Sequence, residues 1–196
     1  MGGRRLVGRQ TLAGDAPDIA PTLLWMVLDV GGVSGRITEV EAYTSDDPAS
    51  HSSRGRTPRN STMFEGPGIL YVYLIYGMHL CANVVTGASG DGQAVLIRAI
   101  LPITGRDEMR TRRGVDDDRR LADGPGKLCQ ALGITRDDDG SDVCSSRSRV
   151  RLFEDGTPAP IDPVIGGRIG ISVGRDRRWN WRLPISALDD ETISRR

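Results

Sequence analysis

The chain of 196 residues carries 26 basic and 26 acidic side chains, a formal net charge of zero, so a highly charged partner has to be recognised by local clusters and not by a global field. Three unclustered cysteines, Cys81, Cys129 and Cys144, exclude a disulfide framework and a cysteine-based zinc site, and they point to a reducing cytoplasm. No apolar run approaches the roughly 20 residues of a membrane span, no signal-peptide core follows the first arginines, and the length suits one domain with a real hydrophobic core.

Residues 1–8 read as a flexible start. Gln10 to Leu23 holds Asp15, Pro17 and Asp18 ahead of an apolar run, the pattern of a short helix opening on an Asp cap. Leu24 to Val30 is a strand by composition, 31–35 a glycine-rich reversal, and Arg36 to Tyr43 (RITEVEAY) a second strand whose Glu39 and Glu41 share one face, roughly 7 Å apart. Two such carboxylates are either solvated surface charges or an acid–base site. Residues 44–68 form a long irregular segment carrying His51 and then Arg54, Arg56 and Arg59 with no acid between the arginines. Arginine interleaved with Ser, Thr and Asn is the donor set that grips phosphates, and it is equally the composition of a solvated loop.

Ile69 to Val85, ILYVYLIYGMHLCANVV, reads as a strand, a reversal at Gly77 and a second strand. Three of the four tyrosines, Tyr71, Tyr73 and Tyr76, stand on its first arm, with His79 and Asn83 beyond the turn. This is either a half-buried core hairpin or an aromatic stacking surface. A two-residue loop, Gly77-Met78, puts Asn83 on the face opposite to Tyr73, whereas a three-residue loop, Gly77 to His79, makes Tyr73 oppose Asn83. A pocket containing both side chains therefore requires an odd loop or a bulge.

Ala94 to Leu101 (AVLIRAIL) is an apolar strand broken only by Arg98, a charge that has to snorkel out or meet a carboxylate, with Glu41 or Glu39 the natural partner. Residues 106–123 are a solvated helix and loop of mixed charge. Asp123 to Gly133 (DGPGKLCQALG) is a short helix with Asp as cap, proline in its first turn and glycine past its end. Its glycine-flanked start with Lys127 suits a phosphate, without the residues of a nucleotide-binding P-loop. Residues 137–149 form an acidic surface loop, Val150 to Phe153 and Arg168 to Val173 are strands, and Trp179 and Trp181 in the tail pack. The fold class is α+β: one domain over 1–196, with a curved, mainly antiparallel sheet, flanking short helices and a protruding hairpin.

Taken together, RITEVEAY at 36–43, HSSRGRTPRNSTMF at 51–64, GPGILYVYLIYGMHLCANVV at 66–85, LIRAILP at 96–102 and DGPGKLCQALGI at 123–134 resemble, in order and spacing, the alkyladenine (3-methyladenine) DNA glycosylase family. The resemblance implies excision of alkylated or deaminated purines from duplex DNA after the nucleotide is rotated out of the stack. It implies Tyr76 as the side chain that intercalates from the minor groove, Tyr43 and Tyr73 as the rings that sandwich the base, and His51 beside it. Asn83 would exclude normal guanine, a repulsive device. Glu41 would act as general base on a water held also by Arg98 and by a backbone carbonyl, that of Ile171. Arg54, Arg59, Gly124, Gly126 and Lys127 would meet the DNA backbone, with no metal or cofactor, in a chain acting as a monomer. His79 departs from the family's aromatic at that place, and the 44–50 connector is shortened; both bear on substrate range. The competing expectations are an O-glycoside hydrolase using Glu39 and Glu41, a non-catalytic nucleic-acid-binding module with a tyrosine platform, and a glycosylase/lyase with Lys127 as amine nucleophile.

Overall fold

The computed structural model describes residues 3–184. In chain order its strands are β1 (Arg5–Leu6), β2 (Val27–Val30), β3 (Val33–Tyr43), β4 (Leu70–Ile75), β5 (His79–Val85), β6 (Ala94–Thr104), β7 (Val150–Glu154), β8 (Val164–Gly166) and β9 (Asn180–Arg182), with helices α1 (Ala16–Ile19), α2 (Arg106–Arg113) and α3 (Pro125–Leu132). All pairings are antiparallel, and the sheet runs β1-β7-β2-β3-β6-β5-β4 with β9 and then β8 added on β3. This is the expected α+β domain with a curled sheet and short helices. Among the described residues no helix is long and apolar enough to cross a membrane.

The long central strand β3 organises the rest because its outer edge is shared. β2 pairs with its first part and β9 with Glu39 to Glu41, while β6 lines its whole inner edge. Along that inner edge the ladder slips once near its start, between Ser34 and Gly35, and twice in its middle: Ile37 faces Ile100, Glu39 faces Ala99 and Val40 faces Ile97, so there Thr38 and Arg98 have no opposite number. A bulge of this kind bends a strand and re-aims its side chains. Here it turns Arg98 out of an otherwise apolar run toward Glu39 and Glu41.

The hairpin β4–β5 divides the interior in two. Period-two alternation sends Leu70, Val72, Ala82 and Val84 into the main core with Ile37, Val40, Leu128 and Leu132, and sends Tyr71 and Val85 to the opposite face, where they join Met63, Phe64 and Ala94. Tyr43 and Tyr73 pack against that second, smaller cluster. β4 is the sheet's edge, and its unpaired backbone groups are met by other chain segments. Val72 N–H donates to Asp139 Oδ1 at 2.8 Å, Leu70 exchanges bonds with Gly140 and Ser141, and an Arg59 Nη donates to the Leu74 carbonyl at 3.2 Å. Covering the edge this way removes a pairing hazard and fixes where the hairpin points.

Several expectations need correction. Within the start expected to be flexible, whose residues 1 and 2 lie outside the described residues, Arg5 and Leu6 pair with Glu154 and Phe153 and Val7 is 1% exposed. The single helix expected over 10–23 is three short turns, Arg9–Leu12, Ala16–Ile19 and Ala20–Leu23, and Asp15 accepts from the Gln93 side chain instead of capping. α3 begins at Pro125 with Gly124 as its cap residue, not Asp123, and ends as expected on Gly133 at φ 72°. Residues 168–173 are a loop and not a strand, since Gly170 at φ 80° and Gly174 at φ 63° turn the backbone through the left-handed region. The strand nearby is β8, a few residues earlier.

Candidate active site

The smaller cluster borders a cavity of about 500 Å³, walled by the hairpin, the 48–51 segment, β6 and the 169–173 loop. That volume lies in the range of roughly 300–1,000 Å³ usual for small-ligand sites. Tyr43, His51, Tyr73, Tyr76, Asn83, Arg98 and Ile171 all stand on its walls. Tyr71, which was not expected in this role, stands there with them.

The hairpin loop is odd, as the pocket requires, but it spans Tyr76 to Met78, with Ile75 opposite His79. Tyr71 therefore opposes Asn83, and Tyr73 opposes Cys81 on the same face. The two tyrosine rings lie 5.5 Å apart, His51 meets Tyr73 edge-on at 4.3 Å, and His51 Nδ1 shares a hydrogen bond of 3.0 Å with the Tyr71 hydroxyl. Asn83 Nδ2 donates to the Tyr71 carbonyl at 3.1 Å, which fixes the plane of its amide. At the loop tip Tyr76, 79% exposed, holds φ 53°, a left-handed conformation unusual for a bulky residue.

Behind the aromatic wall lies the charged centre. Glu41 is fully buried, and both its oxygens are saturated with donors. Oε2 accepts from the Tyr43 hydroxyl at 2.9 Å and Arg98 Nη1 at 3.2 Å, and Oε1 accepts from the Ile169 N–H at 2.7 Å and Asn180 Nδ2 at 3.1 Å. Glu39 accepts from Arg98 Nε at 3.0 Å and Asn180 Nδ2 at 2.7 Å. Two carboxylates thus share one guanidinium and one neutral amide, so both expected partners of Arg98 are its partners at once. Glu41 is not itself a wall of the cavity: Tyr43 and Arg98 stand between its Oε2 edge and the open space. The backbone group touching the carboxylate is the Ile169 N–H, while the carbonyl of Ile171 accepts from Arg175 Nε at 3.1 Å.

Burial, and after it the charge and hydrogen bond of Glu41, raises the Tyr43 phenol far above its ordinary range. Burial likewise raises Tyr73, and pushes Tyr71 up to about 12. All three hydroxyls therefore stay protonated, and that of Tyr43 remains a donor to Glu41. His51 moves the other way: partial burial of its ring against the tyrosines, then the nearby Arg59 charge, holds its pKa below the ordinary value. As pH falls through the free-histidine range, about 6.5, the unfolded chain takes up a proton at residue 51 that the folded chain still refuses. Stability is therefore expected to fall with pH over that window. In a histidine NMR titration His51 should protonate below the free-histidine midpoint, and Arg59→Ala should move its midpoint upward; a downward move would contradict this electrostatic account.

The residues expected at the DNA backbone lie outside the cavity. Arg54 is exposed on its loop, and Arg59 is tied to β4. Lys127 Nζ pairs with Asp123 at 2.8 Å one turn away. Gly126 lies against His79, so close that a Cβ there would stand 3.0 Å from the His79 Cβ. The hairpin's far arm and the start of α3 are thus packed face to face. Ile169 and Asn180 escaped sequence reading, and Tyr71, noted there as part of a candidate stacking surface, was given no place in the pocket. For Tyr71 the signal was present, since it alternates in phase with Tyr73 on one strand face, but Ile169 reaches Glu41 through its backbone N–H and nothing in its side chain marks it.

Known proteins share this chain's sequence over most of its length. The family described as methylpurine-DNA glycosylase matches residues 10–187. A protein of Burkholderia lata is 46% identical over 92% of this chain and 89% of its own length, one of Nitrosospira multiformis 47% over 85% and 84%, and one of Rhodopseudomonas palustris 44% over 93% and 89%. Each of the three is named as a candidate 3-methyladenine DNA glycosylase. With an aromatic cavity backed by a buried glutamate–arginine pair, and a family match that spans all of these residues, the chain belongs to the methylpurine-DNA glycosylase family, enzymes that hydrolyse N-glycosyl bonds.

Proposed function

We propose that this chain is a monofunctional DNA glycosylase that releases alkylated or deaminated purines from duplex DNA by hydrolysis. The protein approaches from the minor-groove side, the damaged nucleotide rotates into the cavity, and Tyr76 enters the stack in its place. The base lies among the rings of Tyr43, Tyr73 and His51. Asn83, its amide held by the Tyr71 carbonyl, meets the purine edge where normal guanine carries an amino group. Arg54, Arg59 and Lys127, with the backbone at Gly124 and Gly126, face the phosphates. Lys127 would exchange its exposed partner Asp123 for one of them, an exchange that costs little because exposed ion pairs contribute little.

Chemistry then falls to Glu41. A water that takes the place of the Tyr43 hydroxyl at Oε2, beside Arg98, adds its oxygen to the sugar C1′ as the bond to the base nitrogen breaks. The bonding pair leaves with the base, and the water's proton passes to the carboxylate. The negative charge of Glu41 also stabilises the positive charge that grows on the sugar. A buried Glu41 beside Arg98 at the back of an aromatic cavity is the observation that carries this reading. A binding module without catalysis has no use for a fully buried carboxylate, which is costly to keep ionised. An amine nucleophile has to be desolvated to be neutral, whereas Lys127 is 46% exposed at its side chain and ion-paired, so borohydride should trap no adduct.

The direct test is a set of duplex oligonucleotides, each with one defined lesion, incubated with the protein and then cleaved with alkali at abasic sites. Strand cleavage at alkylated or deaminated purines, and none at undamaged guanine or adenine, is expected. Tight binding with no base released from any of them would replace the enzyme with the binding module.

A further inference from the structure

Tyr43 has a second buried charge arrangement at its back, separate from the Glu41 centre at its hydroxyl end. The Arg168 guanidinium lies over the Tyr43 ring at 4.6 Å and over Trp179 at 5.3 Å. Its partner is Asp47, and both side chains are 0% exposed. Arg168 Nη2 donates to Asp47 Oδ1 at 2.9 Å, Nη1 to the other carboxylate oxygen and also to the Ala42 carbonyl at 3.0 Å. Gly174 seals the pair: a Cβ there would stand 2.9 Å from Asp47 Oδ1 and 3.1 Å from Arg168 Nη2. Arg168 is not among the cavity walls, so the ring face it covers is the one turned away from the base.

A cation on one face of an aromatic ring draws on the same π-electron density that a cation on the other face needs. Purines alkylated at N3 or N7 are cationic as nucleosides, whereas deaminated purines are neutral. A bare guanidinium behind Tyr43 would stand roughly 8 Å from a cationic base stacked in front, close enough at an interior dielectric of about 20 to disfavour it tenfold or more. Asp47 cancels that field. We infer that the buried Asp47–Arg168 pair is a specificity device: by presenting Tyr43 with a neutral backing it lets one cavity accept both cationic alkylpurines and neutral deaminated purines. The device rests on the glycosylase function proposed above and acts through Tyr43, so both residues are positioning residues and not catalytic ones.

The test compares single-turnover base release from duplexes containing one 7-methylguanine, which is cationic, or one hypoxanthine, which is neutral. In Asp47→Asn the ratio of the cationic to the neutral rate should fall about tenfold, and in Arg168→Met, which leaves an anion behind the ring, it should rise. A merely structural pair would lower both rates together and move the ratio in neither direction, and that result would overturn the inference. Should a single variant fail to fold, the double variant Asp47→Leu/Arg168→Met leaves no buried charge. Its ratio should stay within about twofold of the unaltered chain, and a tenfold shift would count against the device. An unaltered chain that releases only one of the two bases contradicts the neutral backing while leaving the glycosylase function intact. One that releases neither removes the function itself.

Discussion

Glu41→Gln should leave lesion DNA bound and lower base release on the order of 10³-fold, since loss of a positioned general base costs about 10²–10⁴ and the charge that supports the sugar cation goes with it. The substitution keeps the shape but not the hydrogen-bond polarity. Glutamate here accepts from four donors, two on each oxygen, and a glutamine offers only one acceptor oxygen. Kept on the Ile169 and Asn180 side, that oxygen preserves two bonds, and the new amide then faces the Tyr43 hydroxyl, which can reverse and accept. Arg98 loses one carboxylate but keeps Glu39 at 3.0 Å. The expected cost in stability is about 1–3 kcal/mol, the usual penalty for one unsatisfied buried partner, and so the chain should remain folded. Binding measured by electrophoretic shift, beside release measured by alkaline cleavage, separates the two effects. A variant that releases bases within tenfold of the unaltered rate would remove Glu41 from the chemistry.

Half of that centre is legible in the sequence. Arg98 inside AVLIRAIL announced a partner, because an unpaired charge in an apolar strand is too costly to persist, and the only carboxylates on a neighbouring strand face were Glu39 and Glu41. The odd hairpin loop could be required in advance for a similar reason: alternation decides which side chains share a face. Its position differs by one residue from the expected one because Tyr76 takes the left-handed conformation normally left to glycine, which moves the loop to Tyr76–Met78. What sequence could not show were contacts set by bulges and by backbone. The paired slips at Thr38 and Arg98 obey no side-chain code. Ile169 reaches Glu41 through its amide, and Arg168 meets Asp47 across 121 positions. The 168–173 segment alternates like a strand in composition, yet Gly170 and Gly174 bend it into the loop that delivers both contacts.

Tyr76→Gly should raise stability and cost function at once. Tyr76 sits at φ 53° with 79% of its surface exposed, so it carries the left-handed penalty of a non-glycine residue, about 1–2 kcal/mol, with little burial to offset it. Glycine removes that penalty and adds some unfolded-state entropy, about 0.4–1 kcal/mol against the fold. The net is a gain on the order of 0.5–1 kcal/mol, or roughly 1–4 °C in melting temperature for a domain of this size. Base release from duplex DNA should meanwhile fall about 10²-fold, because extruding a nucleotide costs a few kcal/mol of stacking and pairing that the ring would have replaced. The same lesion in a single-stranded oligonucleotide needs no plug, so there the loss should shrink to a few-fold, and Tyr76→Phe should retain duplex activity. Strain kept at an exposed tip is explained if the side chain works only after DNA arrives. Equal losses on single-stranded and duplex substrates would show that Tyr76 serves the cavity and not the stack.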